Sequence, residues 1–336
     1  MNQKKIAQIA KVSPSTVSKA LSGSKEVSPA LAEEIKNIAI REGYFDEKRK
    51  RRVEKNRKKG ALIAVVCPEI ISIYYCRIIS NIKEEVEKRG GQVAVYIYDF
   101  DERKLNDIFK MIILKNETDG IITFSQKKLQ VKPSIPTVVL NKDDDAEEQW
   151  CDVVCAGGYE VTNEAINYLK KMGHKKIGFV GEKYTTGRCK NFVKALENNE
   201  IEVNNNYIYE SDQRFEKAGY DAAIKIFESE DRPTAVLAAY DEIAMGLIHK
   251  LNKEGISVPD DISVIGINDI FYASFAQIPL TTVQVYKHQQ GVEAVRLLYD
   301  KILKKSNELQ KFVVGYRLII RDTVKNLNKE ANDNDR

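Results

Sequence analysis

KVSPSTVSKALSGSKEVSPALAEEIKNIAIREGY, residues 11–44, decides the amino-terminal fold. With the residues just before it, its apolar positions recur at helical spacing in three groups. These are Ile6, Ile9 and Ala10; then Val17, Ala20 and Leu21; then Leu31, Ile35, Ile38 and Ala39. Ser13-Pro14 and Ser28-Pro29 each place an N-cap hydroxyl ahead of a proline at the first helical position, and Gly43 closes the third group. The spacing predicts three short helices. Ala7 is small enough to let the second helix cross the first closely, and Val12 and Val17 set the angle between them, which is a helix-turn-helix layout. The second helix would present Pro14, Ser15, Thr16, Ser18 and Lys19 to the major groove of double-stranded DNA. Small hydroxyls suit phosphates and base edges, and a lysine reaches guanine acceptors. So few residues bury a small core, so this head is expected to be marginally stable alone.

Working outward, the chain of 336 residues is long enough for two or three units. Its formal charge of +4 is unevenly spread. Residues 1–60 hold 16 Lys and Arg against 7 Asp and Glu, while the remainder holds 37 against 42. A basic head on a mildly acidic body suits a protein that meets phosphate with one end. Residues 46–60, DEKRKRRVEKNRKKG, read as a cationic linker whose one aliphatic side chain is Val53. The apolar runs are strand-sized, and no apolar stretch follows Lys4 and Lys5. No membrane partner and no signal peptide are therefore expected, and the cytoplasm is the expected address. Cys67, Cys76, Cys151, Cys155 and Cys189 show no paired CxxC spacing and read as reduced, mostly buried thiols.

From Ala61 the texture changes to strands alternating with helical stretches. ALIAVV, GGQVAVYIYD, DGIITF, TVVLN and DVVC read as strands, with helical patterns over Ile78–Lys88 and Leu105–Leu114. The rhythm restarts with a helix over Val161–Met172, the strand KIGFVG, a helix over Arg188–Asn198 and a strand at Tyr207–Tyr209. A helix over Ala218–Phe227, AVLAA, a helix over Ile243–Glu254 and SVIGI complete it. Two such blocks imply two doubly wound α/β lobes, with ligands expected at the carboxyl ends of the strands, in a cleft between the lobes.

The 11–44 stretch resembles the head of the LacI (lactose-repressor) family almost position by position. VS-x-STVS-x-x-L is followed by VS-P and a helix ending in GY. KMGHKKIGFVG, PTAVLAAYDEIAMG, IPLTTV (278–283) and RLIIRDT (317–323) look like that family's later signatures, so the likeness spans residues 2 to about 324. The resemblance implies a homodimer reading a palindromic operator, with a body similar to periplasmic sugar-binding proteins. The expected division is a helix-turn-helix head at 1–45 and a linker at 46–60. One lobe would take 61–156 and 285–315, the other 157–284 and 316–326, with a flexible tail at 327–336.

The resemblance also assigns residues. Base reading falls on Pro14, Ser15 and Lys19, where most members carry arginine at the last position; Thr16, Ser18 and Ser28 complete the expected DNA face. Lys11 stands where a turn glycine is common, and a positive φ there would cost roughly 1 kcal/mol. The family's hinge helix aligns with the linker, where Arg51 is kept and Val53 replaces a leucine wedge. Such a hinge is expected to hold DNA mainly by charge. The effector pocket would draw on Ser72, Tyr74, Arg188, Phe215, Tyr240, Asp241 and Asn268; Asp241 and Asn268 also suit simple capping roles. Relative to other members, the pocket has lost two carboxylates, favouring a neutral or anionic, sugar-like metabolite.

Enzyme chemistry is not expected. His174, His249 and His288, the three histidines, sit in no nucleophile–base spacing. GEKYTTG lacks the Gly-Lys-Ser/Thr ending of a phosphate loop, and Asp143-Asp144-Asp145 lacks the alternation of a calcium loop. Neither cofactor nor metal is implied. The alternative to a small-molecule effector is a body that answers to a partner protein.

Overall fold

Three helices open the chain: α1 (Gln3–Ile9), α2 (Pro14–Ser22) and α3 (Pro29–Arg41). Each starts on an N-cap side chain. The Ser13 hydroxyl accepts from Thr16 N at 3.1 Å and the Ser28 hydroxyl from Leu31 N at 3.4 Å. Ile6, Ala7, Val17, Ala20, Ile35, Ile38 and Ala39 form the buried core of this head. The turn between α1 and α2 is held by Val12 N donating to Ala7 O at 3.0 Å, and it places Lys11 at φ 54°. A side chain in this left-handed region costs about 1 kcal/mol, so the turn retains strain that glycine would relieve.

The structure is a computed structural model describing residues 2–46, 60–125, 129–130, 133–140, 150–306 and 308–328. Arg51, Val53 and the Asp143–Asp145 run lie outside the described residues. The chain divides into two compact units, residues 1–155 with 287–312 and residues 156–286 with 313–336. It therefore passes between them after Cys155, Tyr286 and Phe312.

The first unit contains β1 (Leu62–Cys67), α4 (Ile73–Glu87), β2 (Gln92–Ile97), α5 (Glu102–Lys115), β3 (Gly120–Thr123), β4 (Thr137–Leu140) and most of β5 (Asp152–Ala156). The second runs through α6 (Gly158–Lys171), β6 (Ile177–Glu182), α7 (Thr186–Asn198), β7 (Ile208–Ser211) and α8 (Glu216–Glu228). It continues through β8 (Ala235–Ala238), α9 (Asp241–Lys253), β9 (Ser263–Ile267) and β10 (Thr281–Val285). Helix α10 (Lys287–Ile302) returns to the first unit, β11 (Lys311–Val314) follows it, and β12 (Tyr316–Ile319) ends in the second.

Each sheet has six strands, in the orders β11-β5-β4-β3-β1-β2 and β12-β10-β9-β8-β6-β7. The pairings from β5 to β2 and from β10 to β7 are parallel, and β12 joins β10 antiparallel. Strands β3, β4, β6, β8 and β9 are buried at every position, as a sheet covered on both faces demands. The architecture is thus the all-α head and two doubly wound α/β units that the sequence led us to expect.

Helix α4 departs from that reading, starting five residues before the amphipathic pattern at Ile78. Its first turn, IYYC, carries two tyrosines off the buried stripe, which hides the periodicity. Ser72 and Tyr74 are therefore an N-cap residue and a first-turn residue rather than loop positions. In the second unit α8 and α9 cross at very short range. A Cβ at Gly246 would lie 1.8 Å from Glu216 O, and one at Gly219 would lie 2.0 Å from Ile243 O. Glycine at both positions is what lets these backbones touch.

Candidate functional site

Helix α2 buries Val17 and Ala20 completely and turns Pro14, Ser15, Ser18 and Lys19 outward, with Thr16 half-buried. The first turn is pre-organised by hydroxyls: Ser13 Oγ lies 2.7 Å from Ser15 Oγ and 2.8 Å from Thr16 Oγ1. Ser28 is exposed, with its hydroxyl turned to capping α3. Lys19 carries a feature that sequence reasoning passed over: its ammonium is ion-paired with the exposed Glu26. The pair holds the Glu26 carboxyl below its ordinary range, through the Lys19 hydrogen bond first and its charge second. Glu26 is therefore the counter-ion of the lysine expected to face DNA.

The expected effector residues fall in both units. Ser72 is buried at the start of α4 in the first unit, and Tyr74 Oη bonds Gln290 Oε1 of α10 at 3.2 Å within the same unit. Arg188, Phe215, Tyr240, Asp241 and Asn268 all lie in the second unit, at or just beyond the carboxyl ends of its parallel strands. Arg188, in the first turn of α7, donates from its guanidinium to the carbonyl of Ala239. The rings of Phe215 and Tyr240 meet edge to face at 6.0 Å. Tyr240 Oη accepts from Phe215 N at 3.2 Å and donates to Glu182 Oε1 at 3.0 Å. Burial first, and the charge of Glu182 second, raise the Tyr240 phenol far above its ordinary pKa, so at neutral pH it is a proton donor.

The centre of this cluster is a residue the sequence reading left out. Glu182 ends β6 with 1% exposure and takes Arg214 Nε at 3.0 Å as well as the Tyr240 hydroxyl. Arg214 in turn spans two rings, 5.0 Å from the Tyr184 centroid and 4.4 Å from that of Phe215. Phe215 itself is held at φ 54° and ψ −137°, a region costly for any side chain. A signal for Glu182 was present. A carboxylate ending a strand that is otherwise wholly apolar must be buried, and a buried carboxylate requires partners. The expectation of a pocket poor in carboxylates thus overlooked an anion, but Arg214 and Arg188 leave the cluster cationic.

Asp241 and Asn268 make contacts of a different kind. Asp241 is fully buried; its Oδ1 accepts from Thr282 Oγ1 at 2.5 Å and its Oδ2 from Ile270 N at 2.8 Å. It ties the start of α9 to the loop after β9 and to β10, a long-range tie rather than the helix cap that the sequence also suggested. Asn268 is buried at φ 112°, its backbone N donating to Val283 O at 2.9 Å.

A periplasmic binding protein-like domain matches residues 166–324. A LacI transcriptional regulator from Bacillus cereus subsp. cytotoxis NVH 391-98 superposes with a TM-score of 0.72 at 24% identity, over 80% of this chain and 99% of that one. The HTH-type transcriptional repressor PurR of Pasteurella multocida (strain Pm70) is 30% identical over 335 residues, which is 96% of this chain and 98% of that protein. The chain belongs to the LacI family of transcriptional regulators. A complex of the regulator CelR with cellobiose shares the fold over 96% of this chain and 99% of that one, with a TM-score of 0.71 at 21% identity. Against this LacI-family background, the relatives compared are regulators rather than enzymes. Among the described residues no helix is long and apolar enough to cross a membrane.

Proposed function

We propose that this LacI-family chain is a transcription repressor that reads a palindromic operator as a homodimer, with DNA affinity modulated by a small sugar-like metabolite. The observation that carries the proposal is α2, whose buried Val17 and Ala20 turn Pro14, Ser15, Ser18 and Lys19 outward, with Glu26 as the counter-ion of Lys19. That relatives are named HTH-type repressors supports the reading. The metabolite is assigned to the strand ends of the second unit. There the rings of Phe215, Tyr240 and Tyr184 offer stacking faces for a sugar, and Arg188 and Arg214 offer donors to its hydroxyls. The cellobiose-bound relative supports that ligand class.

The homodimer is supported by an exposed aromatic cluster in the second unit. Phe271, Tyr272 and Phe275 are 67%, 56% and 72% exposed and stack at 4.9–5.5 Å. Three rings left in water suit burial against a second copy. Arg51 belongs to the proposal as a linker contact that acts by charge, with Val53 as a shorter wedge than leucine; this requires a steep fall of affinity with salt, with a log–log slope of about −0.9 per phosphate neutralised.

The experiment is selection of duplexes from a randomised palindromic library, comparing the full chain with its Ser15→Ala/Lys19→Ala variant. Recovery of one two-fold-symmetric site by the unsubstituted chain, lost or relaxed in the variant, is expected. Sequence-blind binding by both would sink the proposal. Cellobiose is then titrated into the chain bound to the selected site.

A further inference from the structure

We infer that the first unit carries a second ligand site, for a small organic anion with an aromatic ring, at the root of the DNA-binding linker. A cavity of about 480 Å³ opens there, a volume in the range of metabolite pockets. Its wall is built from the two residues before β1, the turn after α4, the residue before β3 and the last two turns of α10 with the segment after it. These are the amino-terminal ends of β1 and β3, opposite to the carboxyl ends where doubly wound sheets hold their usual ligands. The cavity is therefore separate from the strand-end cluster of the second unit.

Two observations give the ligand its chemistry. The first is Tyr299, whose hydroxyl is buried and has no hydrogen-bond partner among the described residues. A buried hydroxyl left unpaired is destabilising, and this one is a donor at neutral pH because burial raises its pKa. Space for it is kept by Gly91, where a Cβ would lie 2.6 Å from the Tyr299 Oη.

The second is charge. Arg89, Arg296 and Lys305 line the cavity against two carboxylates, Asp119 and Asp300. Both carboxylates are already engaged: Asp119 Oδ2 accepts from Leu62 N at 2.8 Å, and Asp300 meets Arg296 at 3.3 Å and Lys305 at 3.9 Å; Arg296 is also held by Glu293 at 2.6 Å, which leaves Arg89 as the principal cation for a ligand. Arg89 spends Nη1 on Glu85, and its guanidinium carbon stands 5.5 Å from the centre of the Tyr299 ring. Its other N–H groups and the Tyr299 hydroxyl are the donors this proposal assigns to the ligand. A cationic wall that also offers a tyrosine face selects an anion carried on a flat apolar body. Because Gly60 and Ala61 also line the cavity, an occupant touches the first residues after the linker, so it reports to the segment that joins the head.

The test is isothermal titration of the full chain with three probes that share one ring: phenyl phosphate, benzoate and benzyl alcohol. Saturable binding of at least one anion per chain is expected, with the neutral alcohol at least tenfold weaker. The tighter anion tells phosphate from carboxylate. Tyr299→Phe removes the hydroxyl alone and Arg89→Gln the charge. Each is expected to weaken the anion about tenfold, the loss of one charge-assisted hydrogen bond. The thermal melt of Tyr299→Phe should stay at or above that of the unsubstituted chain. No saturable binding of either anion at millimolar concentration overturns the inference. So does benzyl alcohol binding as tightly as the anions, or unchanged affinity in both variants.

Discussion

Replacing Glu182 by glutamine tests whether one buried carboxylate organises the strand-end cluster. The amide keeps the volume of the side chain and can still accept one of the two hydrogen bonds, but it removes the charge facing Arg214. Breaking a fully buried ion pair costs about 3–5 kcal/mol. Here the Arg214 side chain is 24% exposed, which places the loss at the lower end, and the retained hydrogen bond returns about 1 kcal/mol. The expected destabilisation is about 2 kcal/mol. Arg214→Gln, which strands the carboxylate, should cost about 3 kcal/mol. If the two side chains act on each other, the double variant should lose about 1–2 kcal/mol less than the sum of the single ones. Urea unfolding followed by far-ultraviolet circular dichroism reads all three. A single-variant loss below about 0.5 kcal/mol, or strict additivity, would refute the claim that Glu182 holds Arg214 and Tyr240 in place. The same variants should weaken sugar binding, since Phe215 keeps its costly backbone conformation with Tyr240 Oη accepting its N–H.

Three further outcomes are expected. Glu26→Gln frees the Lys19 ammonium and should raise operator affinity, up to about fivefold, in fluorescence anisotropy at low salt; weaker binding would mean that the ion pair shapes the DNA face. Gly246→Ala should lower stability by about 2 kcal/mol despite the better helix propensity of alanine, because its Cβ would meet Glu216 O; a stabilised variant would show that α8 and α9 can separate freely. His174 is buried between Thr234 Oγ1 and the Lys325 carbonyl, 3.0 and 3.1 Å away, and burial lowers its pKa from 6.5, opposed by the Lys325 bond. The unfolded chain then binds the proton more readily, so stability is held above about pH 6.5 and falls as the pH drops below it. The urea midpoint should fall more between pH 7.5 and 5.5 in the unsubstituted chain than in His174→Gln, and equal falls would remove His174 from the account.

Much of the molecule could be read locally. Ser-Pro helix starts, the Val17 and Ala20 spacing and the run of wholly apolar strands each reflect physics confined to a few neighbouring residues, and the head and the α/β rhythm followed from them. Reading was harder where the pattern was interrupted. The first turn of α4 hid behind Tyr74 and Tyr75, and α10 carries buried Gln290 and Gly291 on the face that a periodicity search expects to be apolar.

What the sequence determined by itself about this protein is therefore its element types, its two α/β blocks and the polar face of α2. What only the tertiary structure decided is who meets whom at the strand ends. Glu182, Arg214 and Tyr240 are separated by 26 residues or more along the chain. They converge because β6 and β8 lie side by side in parallel and the segment before α8 crosses their ends. A hydrogen bond or an ion pair depends on distance in space, to a fraction of an ångström, whereas sequence periodicity records only which face of its own element a residue occupies.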